Sequence, residues 1–200
     1  MSAVSSQASP ATDTPLWFPS AERQQTSRLA AFQKSVEAMT GHAYKDYQSL
    51  WKWSIEDPEE FWSLLWDFCK VIGDKGATVL TDATKMPGAK FFPDSRLNWA
   101  ENLLRKRDAS PAVIFLDEKG RERTLTTQEL ADYVSRLQQA LLDAGVEPGD
   151  RVAGYMPNMI ETLVGALATA SIGAIWASAS PDFGAQGLVD RFGQIEPKIL

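Results

Sequence analysis

The sequence predicts an α/β protein: a helical, Trp-rich N-terminal segment packed on the first βα units of a mostly parallel sheet that is cut short. Three observations predict it. Apolar residues recur at helical spacing before residue 108, and four of the seven tryptophans (Trp51, Trp53, Trp62, Trp66) fall within sixteen positions. From Pro111 onward, short apolar runs alternate with amphipathic helical patterns, the arrangement that builds helix-covered parallel sheets. Finally, Lys198-Ile199-Leu200 reads as a strand just beginning. A parallel strand needs neighbours and covering helices, so the domain is expected to be interrupted there.

The elements follow in order. Residues 1–15 are rich in Ser, Ala and Thr, with neither the basic start nor the apolar core of a secretory signal, and read as a tail. Ser27 caps a helix with Leu29, Phe32, Val36 and Met39 on one face, stopped by Gly41. Asp57-Pro58-Glu59-Glu60 supplies an N-cap, a proline at the first helical position and acids in the first turn. The helix it opens carries Phe61, Leu65, Phe68 and Ile72, widened by Trp62, Trp66 and Cys69, and ends at Gly73. An extended Phe91-Phe92-Pro93 precedes a helix with Leu97, Ala100, Leu103 and Leu104 inward. Its basic end, Arg105 to Arg107, suits a helix C-terminus.

Ala112 to Leu116 and Arg123 to Leu125 read as a hairpin around Glu118-Lys119-Gly120. Thr126 to Glu129 is a capping box opening a helix with Leu130, Val134, Leu137 and Leu141, closed by Gly145. After the turn Pro148-Gly149-Asp150 come a strand (Arg151 to Met156), a helix (Asn158 to Ile172), a strand (Ala174 to Ala177) and a helix (Gly184 to Ile195). Three domains are expected: the tail (1–15), an N-terminal segment (16–107) and the start of a larger domain (108–200).

Composition excludes several classes. With 44% hydrophobic and 23% charged residues the chain can bury a core. A formal charge of -6 and no basic run longer than Arg105-Lys106-Arg107 argue against nucleic acid or an anionic membrane as partner. Thr162 to Pro181 is uncharged and long enough to span a bilayer. It is mostly Ala, Gly, Ser and Thr, so a buried helix followed by a buried strand is the better reading. One cysteine cannot form an intramolecular disulfide and one histidine cannot build a zinc site. A reducing, cytoplasmic compartment is expected.

Self-contained catalytic motifs are missing: no GxxxxGK[ST], GxGxxG, GxSxG or HExxH occurs. Cys69 falls on an apolar helical stripe and reads as a buried structural thiol; His42, beside Gly41, reads as a surface or capping residue. Asp57, Glu59 and Glu60 match helix capping better than paired carboxylates, and Glu101 and Glu161 read as solvated. No catalytic residue and no metal ligand is assigned. The stretch Trp176 to Gly184 (WASASPDFG) is different. It follows a predicted strand, and ligands of open parallel sheets gather beyond the carboxyl ends of strands. Its small residues allow close approach, so Ser178, Ser180, Pro181, Asp182, Phe183 and Gly184 form the candidate loop. The competing reading is a helix cap by Ser180 or Asp182.

Residues 50–73 (LWKWSIEDPEEFWSLLWDFCKVIG), 91–104 (FFPDSRLNWAENLL) and 126–200 together resemble the start of AMP-forming acyl-CoA synthetases of the adenylating superfamily. The first two are similar to the N-terminal segment of acetyl-CoA synthetases, and PDFG followed by DRFGQIEPK is most similar to the acetoacetate–CoA ligase branch. The resemblance implies a two-step reaction with ATP, magnesium and CoA, in which small-molecule carboxylates are activated as acyl-adenylates and passed to the CoA thiol. It places residues 178–184 near the CoA and acyl region. Where acetyl-CoA synthetases tend to have FGGFS this chain has SASPDFG, which favours acetoacetate over acetate. The family's phosphate loop, adenylate-binding motifs and late lysine lie beyond the matched stretch, so the 200 residues alone are expected to be inactive. An acetyl- or propionyl-CoA synthetase fragment, a non-catalytic interaction module and a truncated gene product remain alternatives.

Overall fold

The computed structural model describes residues 16–200. The tail predicted for residues 1–15 lies outside them. The chain divides into two compact units, one ending at Lys70 and the other starting at Val71.

The first unit is helical: α1 (Ala21–Gln25), α2 (Arg28–Thr40), α3 (Tyr47–Glu56) and α4 (Pro58–Cys69). Ser27 Oγ accepts from the Ala30 N–H, and Gly41 ends α2 in the left-handed conformation at φ 75°. A capping box between Asp46 and Ser49 opens α3. Asp57 closes α3 and caps α4, with Pro58 at the first helical position. The apolar stripes meet in one aromatic core, in which Phe32, Val36, Tyr44, Leu50 and Trp53 are buried against Phe61, Leu64, Leu65 and Phe68.

Three expectations for α4 change. The helix ends at Cys69, where Lys70 turns left-handed at φ 52°, so Ile72 lies beyond it. Cys69 is exposed rather than buried. One residue past Phe68 is a rotation of about 100°, enough to carry the thiol off the stripe.

The second unit begins with a short antiparallel pair, β1 (Leu80–Thr81) and β2 (Lys90–Phe91), followed by α5 (Trp99–Leu103). Phe92 is not extended: it adopts φ 46° and donates its N–H to the Val79 carbonyl at 2.7 Å. In α5 only Ala100 and the capping Leu104 are buried, while Leu97 and Leu103 face out. A five-residue helix turns too few residues inward to bury four.

The expected hairpin forms from β3 (Pro111–Leu116) and β4 (Glu122–Thr126), antiparallel with a register shift between Pro111 and Val113. The Thr126–Glu129 capping box opens α6 (Thr127–Asp143). Then come β5 (Arg151–Tyr155), α7 (Ile160–Ser171), β6 (Ile175–Ala179), a 3-10 turn (Pro181–Phe183) and α8 (Gly184–Phe192). The uncharged stretch from Thr162 is therefore helix and then strand, and among the described residues no helix is long and apolar enough to cross a membrane.

The parallel part of the fold is β5 with β6, paired from Arg151↔Ile175 to Tyr155↔Ala179. Ile199 adds a parallel bridge on the other side of β5, at Val152. Alternation along the strands separates two faces. On one, Val152 and Trp176 join the main core with Val164, Leu167 and Ala168 of α7 and Leu130, Val134 and Leu141 of α6. On the other, Ala153, Ala177 and Ala179 meet Leu188 and Phe192 of α8, and Ile195. Helices thus cover both faces, as the strand-helix alternation predicts.

Asp108 fastens the entry to α6. Ser110 donates to its carboxylate through the hydroxyl at 2.5 Å and the backbone N–H at 2.8 Å, and Thr127 donates at 3.1 Å. These bonds, led by the Ser110 hydroxyl, hold the carboxyl down at about 2, against an ordinary 3.8. A depressed folded-state pKa stabilises above the unfolded value and loses that contribution as pH falls through the folded one. The stability gap between the wild type and Asp108→Asn should therefore be constant above pH 5 and shrink between about 3.8 and 2. Urea midpoints that keep a fixed separation down to pH 2 would remove Asp108 as the cause.

Candidate functional site

The carboxyl ends of β5 and β6 lie side by side. After β5 the chain turns toward α7 on one face; after β6 it turns toward α8 on the other. Two adjacent parallel strands whose connections leave to opposite faces open a crevice between their loops, the position where open α/β sheets bind ligands. Residues 156–159 follow β5 and residues 180–183 follow β6, so these two segments flank that position.

Each candidate residue has a definite place. Ser178 and Ala179 belong to β6 rather than to a loop; Ser178 is exposed and sits across from Gly154. Ser180 caps the 3-10 turn, accepting from the Asp182 N–H at 3.3 Å and donating its hydroxyl to the Asp182 carboxylate at 2.8 Å. The expected cap on the helix that carries Leu188 and Phe192 is not formed: Ser180 caps the 3-10 turn that intervenes, and α8 has no side-chain cap. Phe183 is exposed, and the Arg191 guanidinium lies 4.0 Å from its ring centre, a cation–π pair. Gly184 adopts φ 64° with open space where a Cβ would stand, a conformation that favours glycine.

Two features, one at the strand ends and one in the core beneath them, are not readable from composition. Tyr155, the last residue of β5, donates its phenol hydroxyl to the Pro181 carbonyl at 2.9 Å, crossing from one strand end to the other loop. Trp176 fills the space vacated by two glycines: a Cβ on Gly154 or Gly165 would stand 2.6 or 2.8 Å from its Cη2. Glycine inside a strand signals such a close approach, and that is the clue Gly154 carried.

Of the remaining titratable candidates, Glu161, Glu60 and Asp57 have structural partners. Glu161 stays partly solvated and pairs with Arg123 at 2.8 Å. Burial would raise its carboxyl, but the Arg123 hydrogen bond and its own backbone N–H outweigh this and leave it below the ordinary range. Glu60 accepts from the Trp53 indole at 3.1 Å, and Asp57 Oδ1 accepts from the Glu60 N–H. His42 is exposed, its N–H bonded to the Thr40 hydroxyl. Glu101 is exposed in the first turn of α5.

A separate cleft of about 490 Å³ lies between α5, α6 and the end of α7, lined by residues such as Asn98, Arg107, Val134 and Gln138. Its amides already have partners: Asn98 donates to the Ala170 and Ser171 carbonyls, both at 3.0 Å, and Gln138 to the Ser171 hydroxyl at 2.8 Å. These bonds tie the walls of the cleft together, and the strand ends are the candidate site, at the position that open parallel sheets use.

Comparison with known proteins identifies the family to which the fold belongs. The model of the AMP-binding enzyme family matches residues 100–200, and that of the acetyl-coenzyme A synthetase N-terminus matches residues 47–103. The chain is 49% identical over 188 residues to the acetoacetyl-coenzyme A synthetase of Rhizobium meliloti, covering 94% of this chain and 29% of that protein. It is 39% identical over 193 residues to a malonamoyl-CoA synthetase of Penicillium aethiopicum, covering 92% of this chain and 26% of the relative. Among solved structures, acetoacetyl-CoA synthetase from Streptomyces lividans superposes with a TM-score of 0.82 at 39% identity, over 92% of this chain and 29% of that one. The chain therefore spans under a third of the length of these relatives. With the family model matching half of its residues and the fold matching in order, the chain belongs to the AMP-binding enzyme family.

Proposed function

We propose that this chain is the N-terminal part of an acetoacetate–CoA ligase. In the complete enzyme, acetoacetate attacks the α-phosphate of ATP, releasing pyrophosphate and forming the acyl-adenylate. The CoA thiol then displaces AMP to give acetoacetyl-CoA, with magnesium accompanying the ATP. Residues 16–107 are the N-terminal segment and 108–200 the start of the large domain; the family-model matches at 47–103 and 100–200 support that division. Ser178, Ser180, Pro181, Asp182, Phe183 and Gly184 face the CoA and acyl region, supported by their position at the crevice between two parallel strand ends. The partners are small molecules, not nucleic acid or membrane, and the compartment is cytoplasmic, in keeping with the net charge of -6 and a single cysteine.

The observation that carries the reading is the 49% identity to an acetoacetyl-coenzyme A synthetase across 94% of the chain. A second reading has its own support in the 39% identity to a malonamoyl-CoA synthetase. Acetoacetate and malonamate both carry a carbonyl group β to the carboxylate, so the same pocket geometry could serve either. The test is to assay the complete polypeptide with acetoacetate, malonamate, acetate and propionate, reading AMP and thioester. Acetoacetate should lead by at least about tenfold in kcat/KM over acetate, the discrimination expected of a pocket that pairs with an added polar group. The 200-residue chain alone should release no AMP. A preference for acetate, or acetoacetate-dependent AMP release from the 200 residues, would overturn the reading.

A further inference from the structure

We infer that Tyr155 is a positioning residue: its phenol hydroxyl sets the distance between the two segments flanking the crevice by holding the loop at Pro181. The inference rests on the reading of residues 178–184 as the CoA- and acyl-facing loop. Tyr155 ends β5, in register with Ala179 at the end of β6. Neighbouring strands lie about 4.8 Å apart, within reach of a phenol side chain. Ala179 directly opposite has no side chain beyond Cβ to obstruct it, and Ala153 and Ala177 on the same face are equally small. The hydroxyl therefore spans the strand ends and donates to the Pro181 carbonyl at 2.9 Å.

The backbone alone does not fix this loop. Past the Met156 N–H bond to the Ala179 carbonyl at 3.2 Å, β6 has no further ladder partner on β5. The hydrogen bonds of the loop itself are short-range: Ser180 with Asp182, and the Phe183 N–H to the Ser180 carbonyl at 3.2 Å. Such bonds preserve the shape of the turn without placing it relative to the opposite segment. The opposite segment is anchored separately, by the Thr162 hydroxyl donating to the Pro157 carbonyl at 2.6 Å. The Tyr155 side chain joins the end of β5 to the 3-10 turn, so loss of its hydroxyl leaves both segments intact and their separation set less tightly, by the β6 ladder and the packing of α8 alone.

The test uses Tyr155→Phe in the complete enzyme, which keeps the ring and removes one oxygen. Two half-reactions are read separately: acetoacetate-dependent pyrophosphate exchange for adenylation, and thioester formation as a function of CoA. The expected result is a KM for CoA raised about fivefold, the value of one neutral hydrogen bond, with adenylation within about twofold of wild type. Amide exchange at Asp182 to Ala185 should quicken alongside. A variant that slows both half-reactions together, or whose melting midpoint falls with them, would make Tyr155 a stability residue and overturn the inference. Asp182→Ala serves as the loop control. If it alters the KM for CoA while Tyr155→Phe does not, positioning by Tyr155 is wrong and the loop reading stands; if neither variant alters it, the loop reading itself falls and takes the inference with it.

Discussion

Trp176→Ala is expected to destabilise the protein by about 3 kcal/mol, read as a lower urea midpoint at unchanged m. The indole lies across from Val152 and fills the hollow made by Gly154 in β5 and Gly165 in α7. Deletion leaves a cavity bounded by backbone on two sides. A strand and a helix held by their own ladders and by the remaining core cannot collapse into it, so the buried part of the cavity is retained. The figure stays near the low end for a tryptophan because the side chain is only half-buried.

The same geometry fixes the sign of a second substitution. Gly165→Ala improves helix propensity by about 1 kcal/mol, but its Cβ would stand 2.8 Å from Cη2 and 3.1 Å from Cζ3 of Trp176. A flexible side chain would move aside. An indole cannot, because the vacant Cβ position of Gly154 is already 2.6 Å from the same ring edge. Overpacking of about 1–3 kcal/mol should win, making Gly165→Ala destabilising in the wild type. In a Trp176→Leu background the clash disappears and the change should become stabilising. Additive effects of the two substitutions would show that the ring does not wedge between the glycines.

What could be read from the sequence was mostly what is local. Ser27, Asp57-Pro58 and Thr126-x-x-Glu129 announce helix starts because a cap and its partner lie within three residues. The box of α3 is equally local, but it pairs Asp46 with Ser49 rather than with a Glu or Gln, and the aromatic run that follows masks the helical period. The inward assignment of Leu97 and Leu103 failed because α5 lasts only five residues. At the site, the strand and the loop after it were legible, but β6 runs two residues beyond the expected end, to Ala179. The Tyr155–Pro181 bond and the Arg123–Glu161 pair join residues 26 and 38 apart, and Trp176 meets Gly154 only through strand register. Register is a tertiary property, fixed by how the faces are buried, and no local pattern encodes it.

In the helical unit the largest effect is expected from Trp53→Ala, about 3–5 kcal/mol. Trp53 is only 8% exposed, and its ring lies 5.4 Å from Tyr44 and 5.6 Å from Phe61, which in turn meets Phe32 at 5.9 Å. It therefore connects α3 to the segment before it and to both neighbouring helices. Its indole N–H also donates to Glu60 at 3.1 Å. Glu60→Ala keeps the indole and removes that bond, so it should cost about 1 kcal/mol, which separates the packing contribution from the polar one. Trp51 is the internal comparison. It lies two residues away on the same helix, rotated by about 200°, and is 48% exposed, so Trp51→Ala should cost about 0.5 kcal/mol or less. Amide exchange resolved over residues 28–69 is the measurement: Trp53→Ala should lower protection in α2, α3 and α4 together, whereas Trp51→Ala should leave it unchanged. Equal losses from the two tryptophans would mean that the apolar face of α3 is not the one that carries Leu50 and Trp53 into the aromatic core.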